Sequence, residues 1–170
     1  MTVTSTDSLP PGFTGFKNTA PTLAGALARA TQICNAEGVL LVPGSTWKPW
    51  LSSSEQAAAA TLNASANYYR AGGAGWIGTG AGIIAGGSSI AFLGTSIDGT
   101  TTSTVYTGTN ADGQSAGSGQ YDNCADWTDL SGEAVGGKRD ASDAGWTMNN
   151  LVGVCSESQP IYCVQQVKNG

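Results

Sequence analysis

The chain has 170 residues, 7 Lys+Arg against 12 Asp+Glu for a net charge of −5, no histidine, four cysteines and 25 glycines. Without histidine there is no Ser-His-Asp triad, Cys-His dyad, His-ligated zinc or haem histidine; seven scattered basic residues make no phosphate-tracking surface for nucleic acid; and no apolar run approaches the roughly 20 residues of a membrane span. Only 11% of residues are charged, yet 40% are hydrophobic, with five Trp, five Tyr and three Phe, which is enough to build the core of one domain over 1–170.

In chain order, Met1–Pro10 lacks a basic n-region and an apolar h-region and does not read as a signal peptide. A short β-prone opening around Val3–Ser5 gives way to a turn at Pro10-Pro11-Gly12. Leu23, Leu27, Ala30 and Cys34 then recur at helical spacing, which predicts a helix with Thr22 as N-cap and Gly38 as C-cap. Trp47-Lys48-Pro49-Trp50-Leu51 reads as extended, and a second helix is expected over the alanine-rich Glu55–Leu62, capped by one of Ser52–Ser54. Tyr68-Tyr69-Arg70 reads as a strand. Residues 71–119 are rich in Gly, Ser, Thr and Ala, but apolar islands recur at Trp76-Ile77, Ile83-Ile84, Ile90–Leu93 and Val105-Tyr106. Short strands joined by loops are expected there rather than a linker. The closing Ile161–Gln166 reads as a final β-run.

Cysteines at 34, 124, 155 and 163 have neither the two-residue spacing nor the histidine partners of a zinc site. Disulfides are the better reading, and spacing leaves all three pairings open.

Six strings follow one another in order: Ala24–Cys34 (AGALARATQIC), Trp50–Ser52 (WLS), Tyr106–Gly113 (YTGTNADG), Asn123–Thr128 (NCADWT), Trp146 with Cys155, and Ile161–Gln166 (IYCVQQ). This ordered set resembles the bacterial secreted domain related to the collagen-derived endostatin module, a branch of the C-type-lectin-like fold, over nearly the whole chain. The resemblance implies an α+β domain with two helices on a twisted antiparallel sheet and a long loop-rich middle. It also implies two nested disulfides, Cys34 with Cys163 outside and Cys124 with Cys155 inside. That outer bridge would tie the first helix to the last strand.

The chain departs from the family's ligand sites. It has no histidines for endostatin's zinc, and its only basic pair, Lys138-Arg139, is no arginine cluster for heparin. Sugar-binding C-type lectins hold calcium with Glu-Pro-Asn or Gln-Pro-Asp plus Trp-Asn-Asp. Here Gln159-Pro160-Ile161 lacks the carboxylate, and Asn123-Cys124-Ala125-Asp126 is not Trp-Asn-Asp.

Seven of the twelve acids, Asp112, Asp122, Asp126, Asp129, Glu133, Asp140 and Asp143, crowd into 32 residues. Calcium takes about six to eight oxygen ligands, and Asn110, Asp112, Asp122 and Asp126 are weak candidates. The alternative is a tight Asn-x-Asp-Gly turn with loop-capping acids, so no cofactor is expected. Paired carboxylates such as Asp122 with Asp126, or Asp140 with Asp143, are the only hint of glycoside hydrolysis. Any acidic loop supplies such pairs, and the chain reads as a non-enzyme. Asp126-Trp127 and Asp143–Trp146 would suit a sugar ring, with its apolar face on indole and its hydroxyls on the acid. The competing reading puts both indoles in the core beside the inner bridge. Trp47 in Trp47–Trp50 reads equally as a binding lip or as a core anchor.

The expected function is recognition or assembly at an extracellular, cell or virion surface. The partner would be a glycan or protein surface, or copies of the chain itself or neighbouring subunits; the alternative is a structural subunit of a virion or filament. Residues 71–119 and the loop Asp129–Asp143 are the expected contact surface. Asn63-Ala64-Ser65 fits an N-glycosylation sequon, without meaning if the source is a prokaryote or phage.

Overall fold

The computed structural model describes residues 2–3, 22–69, 76–85, 104–138, 141 and 143–166. In chain order the elements are β1 (Thr2–Val3), α1 (Leu23–Leu41), β2 (Trp47–Pro49), β3 (Asn67–Tyr69), β4 (Trp76–Thr79), α2 (Gly80–Ile84), β5 (Thr104–Tyr106), α3 (Cys124–Trp127), β6 (Glu133–Lys138), β7 (Leu151–Val154) and β8 (Tyr162–Gln165).

α1 starts where its cap dictates: Thr22 is extended, and its hydroxyl accepts from Gly25 N–H at 3.2 Å. It buries Ala26, Ala30, Ile33, Cys34, Glu37 and Gly38, a stripe at helical spacing. The helix does not stop at Gly38. It runs on to Leu41 and is capped by Val42, because Gly38 serves packing instead. A Cβ there would lie 2.2 Å from Trp47 Cδ1, so the indole of β2 rests on bare helix backbone.

The expected second helix over Glu55–Leu62 is absent; only a 3₁₀ turn forms, at Ala58–Thr61. The serines before it spend their hydroxyls locally, which competes with helix formation. Ser52 Oγ accepts from Ala58 N–H at 2.9 Å, and Ser53 Oγ accepts from the N–H groups of Glu55 and Gln56. Ala59 N–H then donates out of the segment, to Gly113 O at 3.0 Å. Ile83-Ile84, expected in a strand, closes α2, whose first turn is capped by Thr79. Ile90–Leu93 lies outside the described residues.

Two helices on one twisted sheet is therefore not the architecture of this chain. The described residues form three helices and three separate antiparallel sheets, none closed, in the orders β1-β8-β2, β3-β4 and β5-β6-β7. β8 is filled on both edges, with Cys163 opposite Thr2 on one side and opposite Pro49 on the other. Among the described residues an isolated parallel bridge, Tyr106 with Ile161, links the β5-β6-β7 sheet to the residue before β8. Within the expected loop Asp129–Asp143, Glu133–Lys138 is strand: β6 is the central strand of its sheet, with Val105 opposite Gly137 and Val152 opposite Val135.

Two disulfides, Cys34–Cys163 and Cys124–Cys155, make this a small disulfide-stabilised fold. They sit in one apolar cluster with Ala30, Ile33, Trp47, Leu51, Tyr106 and Trp127, between α1, β8 and β6. A second cluster gathers Trp50, Leu62, Tyr68, Ile77, Ile83, Val105, Trp146 and Tyr162. Among the described residues no helix is long and apolar enough to cross a membrane.

Candidate functional site

The densest polar construction lies where three segments meet: Ser52–Ser54, Thr107–Thr109 and α3 (Cys124–Trp127). Ser52, Ser53, Thr107, Thr109 and Asn123 are all buried, so each must find partners. Thr107 O accepts from Ser52 N–H and from the Thr109 hydroxyl, and the Thr107 hydroxyl donates to Thr147 O at 2.6 Å. Ser52 O accepts from Trp127 Nε1 at 2.9 Å.

α3 is a left-handed turn. Cys124, Ala125, Asp126 and Trp127 have φ of 59°, 49°, 55° and 60°, a conformation that costs L-residues about 1–2 kcal/mol each. The surroundings hold it in several ways at once. Asn123 Oδ1 accepts from Asp126 N–H at 2.8 Å, and Asp129 N–H donates to Cys124 O. Cys124 is bonded to Cys155, and Trp127 is buried against Tyr106 with ring centroids 5.7 Å apart. The Asp126 carboxylate adds a clasp across the segments, accepting from Ser54 N–H at 2.8 Å, from Ser54 Oγ at 2.5 Å and from Asn123 Nδ2 at 3.0 Å.

Partial burial pushes the Asp126 carboxyl up, but the bonds from Ser54 and Asn123 outweigh it and hold its pKa below the ordinary carboxylate value. A group lowered in the folded state stabilises the fold above its unfolded pKa and loses that contribution as pH falls through the folded value. Asp129, held down by Ser131 N–H and Oγ, acts in the same direction. Urea midpoints measured from pH 7 to pH 2 should therefore show wild type exceeding Asp126→Asn by a constant margin above about pH 5 that shrinks below it. A margin that grows on acidification would refute the clasp.

The remaining candidates scatter. Trp47, Trp127 and Trp146 are at most 1% exposed, so none is a surface platform; Trp50 is buried too, and the Trp47–Trp50 segment is not a lip. Trp146 is walled in by Trp50 and Tyr162, with centroids 4.9 and 5.3 Å away, and its Nε1 finds no acceptor among the described residues. Asp143 caps the 3₁₀ turn Ala144–Trp146 by accepting from Gly145 N–H at 2.9 Å. The calcium candidates do not converge. Asn110 Nδ2 donates to Ser115 O, Asp112 accepts from Gln114 N–H, Asp122 accepts from Gly119 N–H, and Asp126 is clasped to Ser54. No group of three or more Cys, Asp or Glu is gathered to hold a metal among the described residues. Asp140 lies outside them.

The exposed aromatic site is one that sequence reasoning missed. In the β3-β4 hairpin Tyr69 faces Trp76 in register, and they are 50% and 49% exposed. Strict alternation would put Trp76 and Thr79 on opposite faces. The register shifts between Tyr68 and Tyr69, and this irregularity leaves both Trp76 and Thr79 exposed while Ile77 and Gly78 are buried. Asn67, exposed and opposite Thr79, completes a face of two aromatic rings, one amide and one hydroxyl. Of the expected contact surface 71–119, only 76–85 and 104–119 are described, and Thr107 and Thr109 are core.

No protein-family model matches the chain, and no curated protein matches it.

Proposed function

We propose that the chain is a non-enzymatic recognition module acting outside the cell, at a cell or particle surface, and that it takes a neutral glycan on the exposed face of β3-β4. The observation that carries this reading is the cross-strand pair Tyr69–Trp76. A half-exposed indole and phenol offer flat apolar surface to the C–H face of a sugar ring. The Asn67 amide and Thr79 hydroxyl beside them suit ring hydroxyls. No Lys, Arg, Asp or Glu stands at 67–69 or 76–79, so the face favours an uncharged ligand. Two disulfides fit an oxidising compartment.

The test is a glycan array followed by calorimetry on any glycan that binds. Trp76→Ala and Tyr69→Ala should each weaken binding by about tenfold or more, since either removes one stacking surface. Both positions are half exposed, so stability should stay within about 0.5 kcal/mol of wild type. A chelator should leave binding unchanged. Binding indifferent to both substitutions overturns the reading, and self-association abolished by them would put a second copy of the chain in the glycan's place.

A further inference from the structure

A second surface lies beside the Cys124–Cys155 bridge, where three backbone segments are tied together. Gln120 O accepts from Glu133 N–H at 2.9 Å, Gln120 Nε2 donates to Ser131 Oγ at 2.7 Å, and Cys155 N–H donates to Gly132 O at 2.9 Å. Val154 stands opposite Glu133 in the β6-β7 register. Each segment exposes one large apolar residue: Tyr121 at 66%, Leu130 at 42% and Val154 at 43%. Scattered singly, such residues need no explanation; three on neighbouring, hydrogen-bonded segments make a patch.

Among the described residues the rim of this patch carries acidic side chains. Asp122 follows Tyr121, Asp129 precedes Leu130, Glu133 faces Val154, and Glu157 N–H donates to Val154 O at 2.9 Å. Residues 119–133 and 153–159 contain no lysine or arginine. Asp129 is fixed in place, its Oδ1 accepting from Ser131 N–H at 2.7 Å. An apolar centre with an acidic rim repels nucleic acid and anionic membrane. It complements a polypeptide whose apolar side chains alternate with cations.

We infer that Tyr121, Leu130 and Val154, with their acidic rim, form a docking surface for a protein segment in which lysine or arginine alternates with apolar residues. The surface is separate from the β3-β4 face and does not depend on it.

The probe is a 12-residue peptide of alternating lysine and leucine, tested against the full chain beside a version with every leucine replaced by serine. Amide NMR shifts should map its binding to 119–133 and 153–157. Affinity should fall at least tenfold for the serine peptide, at least tenfold for a Tyr121→Ser/Leu130→Ser/Val154→Thr chain, and severalfold between low and high salt as the rim is screened. These positions are exposed, and an unchanged circular dichroism spectrum of the triple variant verifies its fold. No binding of the lysine-leucine peptide, equal binding of the two peptides, or equal binding by the triple variant overturns the inference.

Discussion

Replacing Cys34 and Cys163 together by alanine should cost about 5 kcal/mol, and replacing Cys124 and Cys155 about 4 kcal/mol, as read from urea midpoints of the oxidised proteins. The difference follows from loop length. The outer bridge spans 129 residues in sequence and the inner one 31, and loop-closure entropy grows only with the logarithm of length. Against a total stability of about 5–15 kcal/mol for a domain, loss of the outer bridge takes away a third or more. Its removal also unties α1 from β8. Cys34 is on the buried stripe of α1, and Cys163 sits in β8, the central strand of the β1-β8-β2 sheet packed on that helix. Alanine is the right replacement, because serine would leave two buried hydroxyls and confound loop entropy with desolvation. An outer-bridge variant within 1 kcal/mol of wild type would mean that α1 and β8 are held together by packing alone.

What the sequence made legible is what local rules decide. α1 was readable from the spacing of Leu23, Ala30 and Cys34 and from Thr22 as a cap. The extended Trp47–Pro49 and the final strand were readable from their neighbours and their β-branched and aromatic residues. The second helix failed because alanine propensity is worth only tenths of a kcal/mol per residue, while Ser52, Ser53 and Gly113 offered its N–H groups acceptors elsewhere. The single twisted sheet failed because pairing is non-local: nothing along Ile161–Gln166 announces that both its edges are taken.

The sites were less legible than the fold. Asn-Cys-Ala-Asp-Trp holds no glycine to announce a run of positive φ, and of the four residues that adopt it only Asp126 is of a type that visits that region readily. The left-handed α3 is imposed by Cys155, Ser54 and Ser52 from elsewhere in the chain. Trp127 and Trp146 lay close to cysteines in sequence, and that signal pointed to the core. The exposed aromatic face was hidden by a register irregularity. Tyr69 and Trp76 flank a glycine-rich stretch as separate islands, and only pairing brings them opposite one another.

Gly137→Ala should cost more than about 3 kcal/mol and leave a chain largely unfolded at 37 °C. Gly137 sits in β6, the central strand of its sheet. A Cβ there would stand 1.7 Å from Trp146 O, 2.5 Å from Trp146 C and 3.0 Å from Thr147 Cα. All three are backbone atoms, so no rotamer change makes room; the whole 144–147 segment must lift. That segment is hydrogen-bonded to three others. Trp146 O accepts from Tyr162 OH at 2.9 Å, Thr147 O from Thr107 Oγ1 at 2.6 Å, and Thr147 Oγ1 from Trp50 Nε1 at 2.8 Å. Lifting it strands buried donors, each worth about 1–3 kcal/mol when left unsatisfied, and pulls Trp146 from between Trp50 and Tyr162. Gly44→Ala is the control. Its φ is +76° with nothing within 4 Å, so it carries only the left-handed penalty of about 1–2 kcal/mol. A cost at Gly137 no larger than at Gly44 would show that the backbone contact between β6 and Trp146 yields without penalty. A larger cost at Gly137, with near-ultraviolet circular dichroism of the tryptophans lost first, is the result that seating Trp146 on bare strand backbone requires.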